Sequence, residues 1–206
     1  MRITRRGLLR TALAAGVGAV GGTGAYGFLY ERHHLSVTRV TVQIPHLPPA
    51  LVGLRIGLLT DIHRGLFVSH EDVLDGVTRL NGERPDLIVL GGDYVTWRDR
   101  RYVGLAAESL APLRAPLGVY AILGNHDDDH DTATALNARH IEVLRDARTT
   151  IRARGETLDL LGIRFWTRRG ADIATLAREA TGFPILLAHD PRRLFDAEAL
   201  RIPLVL

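Results

Sequence analysis

The sequence contains no cysteine, which excludes a disulfide framework, a thiolate metal site and a cysteine nucleophile. Any metal must therefore be held by His, Asp, Asn or Glu, and the redox compartment is not legible from thiols. Strong charge of one sign is also absent, the formal net charge being +3 over 206 residues. Much of that excess comes from arginines scattered along the chain or grouped near its start, which argues against nucleic acid as a partner. An apolar fraction of 46% beside 24% charged residues excludes a disordered chain and fits one globular domain with an appendage.

Charge is absent again from Thr11 to Tyr30, a Gly-, Ala- and Leu-rich run preceded by Arg2, Arg5, Arg6 and Arg10. A basic start and an apolar body mark a targeting segment, to be set apart from the fold. Thr4-Arg5-Arg6-Gly7-Leu8-Leu9 resembles the twin-arginine export signal; a membrane anchor with a positive flank is the alternative. The run is close to the ~20 residues that span a bilayer, its glycines weaken it as a helix, and no A-x-A site marks a cleavage point. Both readings place the domain outside the cytoplasm. Residues 1–30 are expected to be signal or anchor, 31–53 a linker with an edge strand, and 54–206 the domain.

In the linker, Val37, Val40, Val42 and Ile44 suggest the strand, and Pro45, Pro48 and Pro49 end it. His33, His34 and His46 are expected to be solvated, because nothing rigid holds them. Beyond it, four apolar runs of strand length each end in metal-competent side chains. Leu54–Thr60 ends in Asp61-Ile62-His63, where residues two apart on an extended segment point the same way and converge. Leu87–Leu90 ends in Gly91-Gly92-Asp93, whose glycines admit close backbone approach. Val119–Leu123 ends in Gly124-Asn125-His126-Asp127, and Phe183–Ala188 ends in His189-Asp190.

Helices are expected from Ser69, an N-cap with Asp72 at N3, over Leu105–Leu113, Thr132–His140, Asp172–Ala180 and Pro191–Leu200. Further strands are expected at Leu158–Ile163 and Ile202–Leu206. His70 reads as a surface residue, His140 as a partner of a helix C-terminal dipole, and the acids after Asp127 (Asp128, Asp129, Asp131) as a solvated loop. Their spacing and the lack of a closing Glu exclude an EF-hand. Tyr94, Trp97 and Trp166 read as packing residues, with a substrate entrance as the other possibility.

Strands alternating with helices gather binding residues at their carboxyl ends, so Asp61, His63, Asp93, Asn125, His126 and His189 are positioned to meet. Oxygen and imidazole donors without thiolate suit a hydrolytic site for Mn, Zn or Fe. Hydrolysis of a phosphate ester needs a hydroxide at neutral pH and neutralised phosphoryl oxygens, which a pair of divalent ions supplies. A histidine can deliver the proton that the leaving oxygen requires.

The order Asp-x-His, Gly-Asp, Gly-Asn-His-Asp and a later His resembles the calcineurin-like metallophosphoesterase family, and the twin-arginine start resembles its exported bacterial branch. The resemblance covers the chain from about Leu54 onward. It implies a layered α/β/β/α sandwich and a phosphoesterase with two divalent metal ions, acting on phosphate mono- or diesters or pyrophosphates, envelope or lipid-linked substrates among them. By the same resemblance Asp61 and His63 would bind one ion, Asp93 would bridge, Asn125 and His189 would bind the second, and His126 would protonate the leaving oxygen. Asp127 or Asp190 would orient an imidazole. The export machinery and the membrane are the further partners implied.

Two departures stand out. The family's final Gly-His-x-His is absent, and Arg201–Leu206 resembles the strand that leads into it, so the domain is expected to be truncated, with an inactive anchored binding module as the alternative function. Asp93 is followed by Tyr94-Val95-Thr96 rather than by the Asp-bearing continuation of protein phosphatases, which argues against phosphoprotein substrates.

Overall fold

A computed structural model describes residues 5–29, 34–167 and 169–206. The chain divides into two units, 1–38 and 39–206. In the first, α1 (Arg5–Leu29) holds residues 11–29 of the uncharged run in one helix, while Met1–Thr4, Tyr30 and His33 lie outside the described residues. Among those described, no helix is long and apolar enough to cross a membrane.

The second unit holds two four-stranded sheets. The first orders β1 (Ile56–Leu59), β2 (Leu87–Leu90), β3 (Val119–Ala121) and β4 (Glu142–Val143) in parallel. The second orders β5 (Ala147–Ala153), β6 (Glu156–Gly162), β7 (Phe183–Leu187) and β8 (Leu204–Val205), with β5 antiparallel to β6 and the rest parallel. Between the strands run α2 (His70–Gly82), α3 (Arg100–Leu110), α4 (Asp131–Asn137), α5 (Gly170–Arg178) and α6 (Arg193–Ala199).

Strand periodicity explains the layers. On β2, Ile88 and Leu90 pack with Val73, Val77 and Leu110 from the helices, while Leu87 and Val89 face the other sheet and meet Leu158, Leu160, Ile185 and Leu187. Leu161 and Leu186, one step along their strands, turn outward onto Ile173 of α5 and Ala197 of α6. A period of two thus feeds three apolar layers from two sheets, giving the expected α/β/β/α order. Strands buried on both faces read as continuous apolar runs, which is why β2 and β7 are visible in the sequence.

Some elements differ from expectation. Residues 34–44 form no strand: Val40 and Val42 are exposed, so no surface buries an alternating face, and Arg39 instead pairs with Glu83. Helix α3 begins at Arg100 rather than Leu105, because the Asp99 carboxylate caps the Arg101 amide. The Ser69 cap holds as a full capping box, but His70 is half-buried, its Nδ1 2.8 Å from Ser109 Oγ. His140 is exposed and follows α4 with φ of 61°, in the turn that leads to β4. Strand β5, half of a hairpin turned by Arg154 (φ 52°) and Gly155 (φ 89°), was hidden by its charged, alternating face.

Asp159 is buried in β6, yet its carboxylate is fully engaged, by Arg148 Nη1 (2.8 Å), Thr150 Oγ1 (2.5 Å) and the amides of Thr181 (2.7 Å) and Gly182 (2.6 Å). Burial opposes its ionisation, but these bonds outweigh burial and lower its pKa. A lowered folded pKa stabilises the fold fully above the ordinary Asp value of about 3.9 and is lost as pH falls through the folded value. Asp159→Asn should therefore destabilise the domain by about 2 kcal/mol in urea unfolding at neutral pH, and by progressively less as the pH is lowered below about 4.

Candidate metal centre

Each predicted site residue stands just past the end of a strand. Beyond β1 and β2 the two chains continue side by side through bonds from Asp61 N to Gly92 O (3.0 Å), His63 N to Asp93 O (2.9 Å) and Arg64 N to Tyr94 O (2.8 Å). Within this stretch Asp61 (φ 54°), His63 (φ 47°) and Asp93 (φ 56°) adopt left-handed backbone, which costs about 1 kcal/mol apiece. The conformation turns their side chains toward a common point instead of letting the strands run on.

Asp93 occupies that point. Its Oδ2 lies 3.5 Å from Nε2 of His63 and 3.3 Å from Nε2 of His189, and its Oδ1 accepts the His126 amide at 2.9 Å. Asp61 Oδ1 is 3.8 Å from the same His63 nitrogen. Two donor sets meet at Asp93: His63 with His126, and Asp61 with His189, the ligand atoms of each set within 4.8 Å of one another. Asn125 is carried on the same turn as His126, between two backbone amides held by buried carboxylates. Asp61, His63, Asp93, His126 and His189 are thus brought to one place, with Asn125 next to His126 in the chain.

The imidazoles are held differently. His189 Nδ1 donates to Gly91 O at 2.7 Å, which fixes the ring with Nε2 turned onto Asp93, the nitrogen that would take a metal on losing its proton. The hydrogen bond from Nε2 to Asp93 raises the His189 pKa to about 9. Burial works against ionisation of Asp93, but His189 and the His126 amide outweigh it and lower that pKa. His126 is held in the opposite sense at Nδ1. Its Nδ1 accepts the Trp97 amide at 2.9 Å, so the ring proton resides on Nε2, making His126 a donor toward the site. Trp97 (φ 50°) and Arg98 (φ 57°) are both left-handed, and the Arg98 amide binds His126 O; this strained turn grips one histidine twice.

Among the described residues, Asp127 and Asp190 orient no imidazole. Asp127, buried, accepts the amides of Asp93 (2.8 Å) and Gly124 (2.8 Å) on Oδ2 and of Tyr94 (2.9 Å) on Oδ1. Burial nonetheless raises its pKa. It staples the β2 and β3 loops together. Asp190 binds Arg192. The acids expected to be solvated are also engaged: Asp128 caps the amides of His130 and Asp131, Asp129 meets Arg164 at 2.8 Å and Asp131 pairs with Arg100. A loop that carries ligands needs this fastening, which adjacent charges in a sequence do not reveal. Tyr94 is core, bonded to Ile122 O at 2.9 Å. Trp97 is exposed and lies 4.7 Å from the His126 ring, and Trp166 lies under the Arg98 guanidinium. The Trp97 amide was missed because a main-chain donor leaves no mark on residue type.

Residues 54–204 match the model of the calcineurin-like phosphoesterases. The chain belongs to this family. An uncharacterized metallophosphoesterase of Bacillus subtilis is 29% identical over 201 residues, covering 92% of the chain and 70% of the relative. The UDP-2,3-diacylglucosamine pyrophosphatase of Chlamydia trachomatis is 29% identical over 128 residues, 59% of the chain and 39% of that enzyme. The NAD nucleotidase of Haemophilus influenzae matches in structure with a TM-score of 0.54 at 15% identity, over 69% of the chain and 35% of its own. That likeness is one of fold. The donor set of this phosphoesterase suits divalent ions: carboxylates and imidazoles converge, with one carboxylate oxygen between two rings.

The loops touch most closely at glycine. A Cβ on Gly124 would lie 2.0 Å from Asp93 Oδ1 and 2.6 Å from Asp93 N, and Gly92 (φ +99°) faces the Gly124 amide as tightly. Gly124→Ala should weaken Mn²⁺ binding at least about tenfold by calorimetry and lower stability by about 1–3 kcal/mol, because the displaced atom is the central carboxylate.

Proposed function

We propose that the chain is a metal-dependent phosphoesterase, hydrolysing phosphate mono- or diesters or pyrophosphates through a two-metal site outside the cytoplasm. The observation that carries the reading is the Asp93 carboxylate, whose Oδ2 stands between the ring nitrogens of His63 and His189. Asp61 and His63 would hold one ion, Asn125 and His189 the other, with Asp93 shared. Such ions supply a nucleophile at neutral pH and neutralise the phosphoryl oxygens.

The chain's own groups do the rest. Nε2–H of His126, fixed by the Trp97 amide on the opposite ring nitrogen, donates a hydrogen bond that stabilises charge on the oxygen that leaves phosphorus. Left-handed Asp61, His63 and Asp93 hold their donors in place beforehand, so little reorganisation accompanies the reaction. The twin-arginine pattern at Thr4-Arg5-Arg6 supports export, with residues 1–30 as signal or anchor and the export machinery as partner. A relative named for a diacylated substrate supports a lipid-linked or other envelope phosphoester.

Purified chain with Mn²⁺ is expected to release nitrophenolate from bis(4-nitrophenyl) phosphate. His126→Ala should lower kcat on the order of 10²- to 10⁴-fold while calorimetry still reports bound metal. Asp93→Asn should lose metal and activity together. Metal bound with full occupancy but no turnover would sink the enzyme reading and favour an anchored binding module.

A further inference from the structure

The loop that follows the Asp61–His63 strand end is built to hold apolar side chains outward. Arg64 Nη1 binds Gly65 O at 2.9 Å and Val68 O at 2.6 Å, and Gly65 N closes the loop on Val68 O at 3.3 Å. The same guanidinium lies 5.4 Å from the centre of the Tyr102 ring. Between these clasps stand Leu66, 82% exposed, and Phe67, 65% exposed, and Trp97 across the groove is 82% exposed. Loop tips ordinarily carry polar residues, since large apolar groups there forgo burial. Here the loop is fastened from below and presents them to solvent.

These residues wall a groove of about 700 Å³ that has His63 of the metal centre in its lining. The charged residues in the lining satisfy one another, Arg101 Nε and Nη2 binding the Asp99 carboxylate at 2.9 and 2.6 Å. The paired charges leave no net charge for an ionic substituent, while Leu66, Phe67, Val68 and Trp97 offer apolar wall to a hydrocarbon one. Its continuity with His63 means that a phosphoester held at the metal centre can extend one substituent along it. Resting on the phosphoesterase reading, we infer that Leu66, Phe67 and Trp97 form a subsite for a long alkyl or acyl chain of the substrate, so that the preferred substrates are amphiphilic phosphoesters.

Transfer of methylenes from water to such a wall makes chain length the readout. The probes are ethyl and octyl 4-nitrophenyl phosphate, each kept below its micelle concentration, with purified full chain and Mn²⁺. In both, water adds to phosphorus, the bond to the nitrophenyl oxygen breaks, nitrophenolate leaves and an alkyl phosphate remains, with the water's proton passing to solvent. The octyl ester should be favoured in kcat/KM by at least about tenfold, and Leu66→Ser/Phe67→Ser should bring the ratio to within about twofold. If the double variant does not fold, Leu66→Ser alone should lower the ratio part of the way. Equal kcat/KM for the two esters, or a ratio that the substitutions do not change, overturns the subsite. A chain-length effect that arises only on added lipid vesicles also overturns it, in favour of contact with a bilayer. Turnover of neither ester rejects the phosphoesterase reading itself, and calorimetry with ethyl- and octylphosphonate then decides the groove separately: tighter octyl binding, lost in the double variant, sustains it, and equal binding rejects it.

Discussion

The Asp127 carboxylate, buried away from solvent, collects the amides of Asp93, Tyr94 and Gly124. Two of those amides belong to the loop after β2 and one to the loop after β3, so this side chain sets the spacing of two strand ends that carry metal-competent residues. Burying a carboxylate is unfavourable unless it is hydrogen-bonded, and here three main-chain donors meet it. Glycines at 92 and 124 follow from the same constraint, because the loops approach more closely than a Cβ would allow. The position of Asp93, and with it the arrangement of His63, His126 and His189, depends on this staple.

Around Asp93 the protein accepts local strain in return for direction. Left-handed Asp61, His63, Asp93, Trp97 and Arg98 are each unfavourable for a residue with a side chain. They persist because parallel backbone bonds and carboxylate caps hold them on both sides. The strain aims side chains in one case and a main-chain donor in the other. The outcome is two histidines held in opposite senses at Nδ1: that of His189 donates to a carbonyl and turns Nε2 onto Asp93, and that of His126 accepts an amide and leaves a proton on Nε2 facing the site. Residue type alone treats these imidazoles as equivalent; their hydrogen-bond partners, Gly91 O and the Trp97 amide, separate them.

The second sheet contributes through packing as much as through His189. Phe165, on the connection between β6 and α5, donates its amide to Leu123 O and sets its ring 5.9 Å from the His189 ring. Its neighbour Arg164 ties Asp129, just beyond the His126 turn, to Asp146 at the start of β5. The two sheets thus share a polar fastening at the rim of the site and an apolar layer beneath it. A site divided between sheets keeps its geometry only where such ties cross.

Much of the architecture was legible because buried strands announce themselves. Leu87–Leu90 and Ile185–Leu187 are apolar on both faces, and the polar residues that interrupt them mark the strand ends where a site gathers. The capping box at Ser69 was equally local, and so was the glycine before Asn125. Strand β5 was not legible, since one face carries arginines and threonines, and neither was the absence of a strand at 34–44, where a β-like pattern finds no surface to bury it. The sequence by itself determined which side chains stand at strand ends, because that follows from hydrophobic runs and turn residues. Only the tertiary structure decided whether each histidine donates or accepts at Nδ1, that Asp127 braces main chain rather than an imidazole, and that Leu66 and Phe67 stand out from a clasped loop beside His63. The first two outcomes depend on hydrogen bonds between residues tens of positions apart, and the third on where a locally clasped loop stands relative to a distant strand end, neither of which local composition encodes.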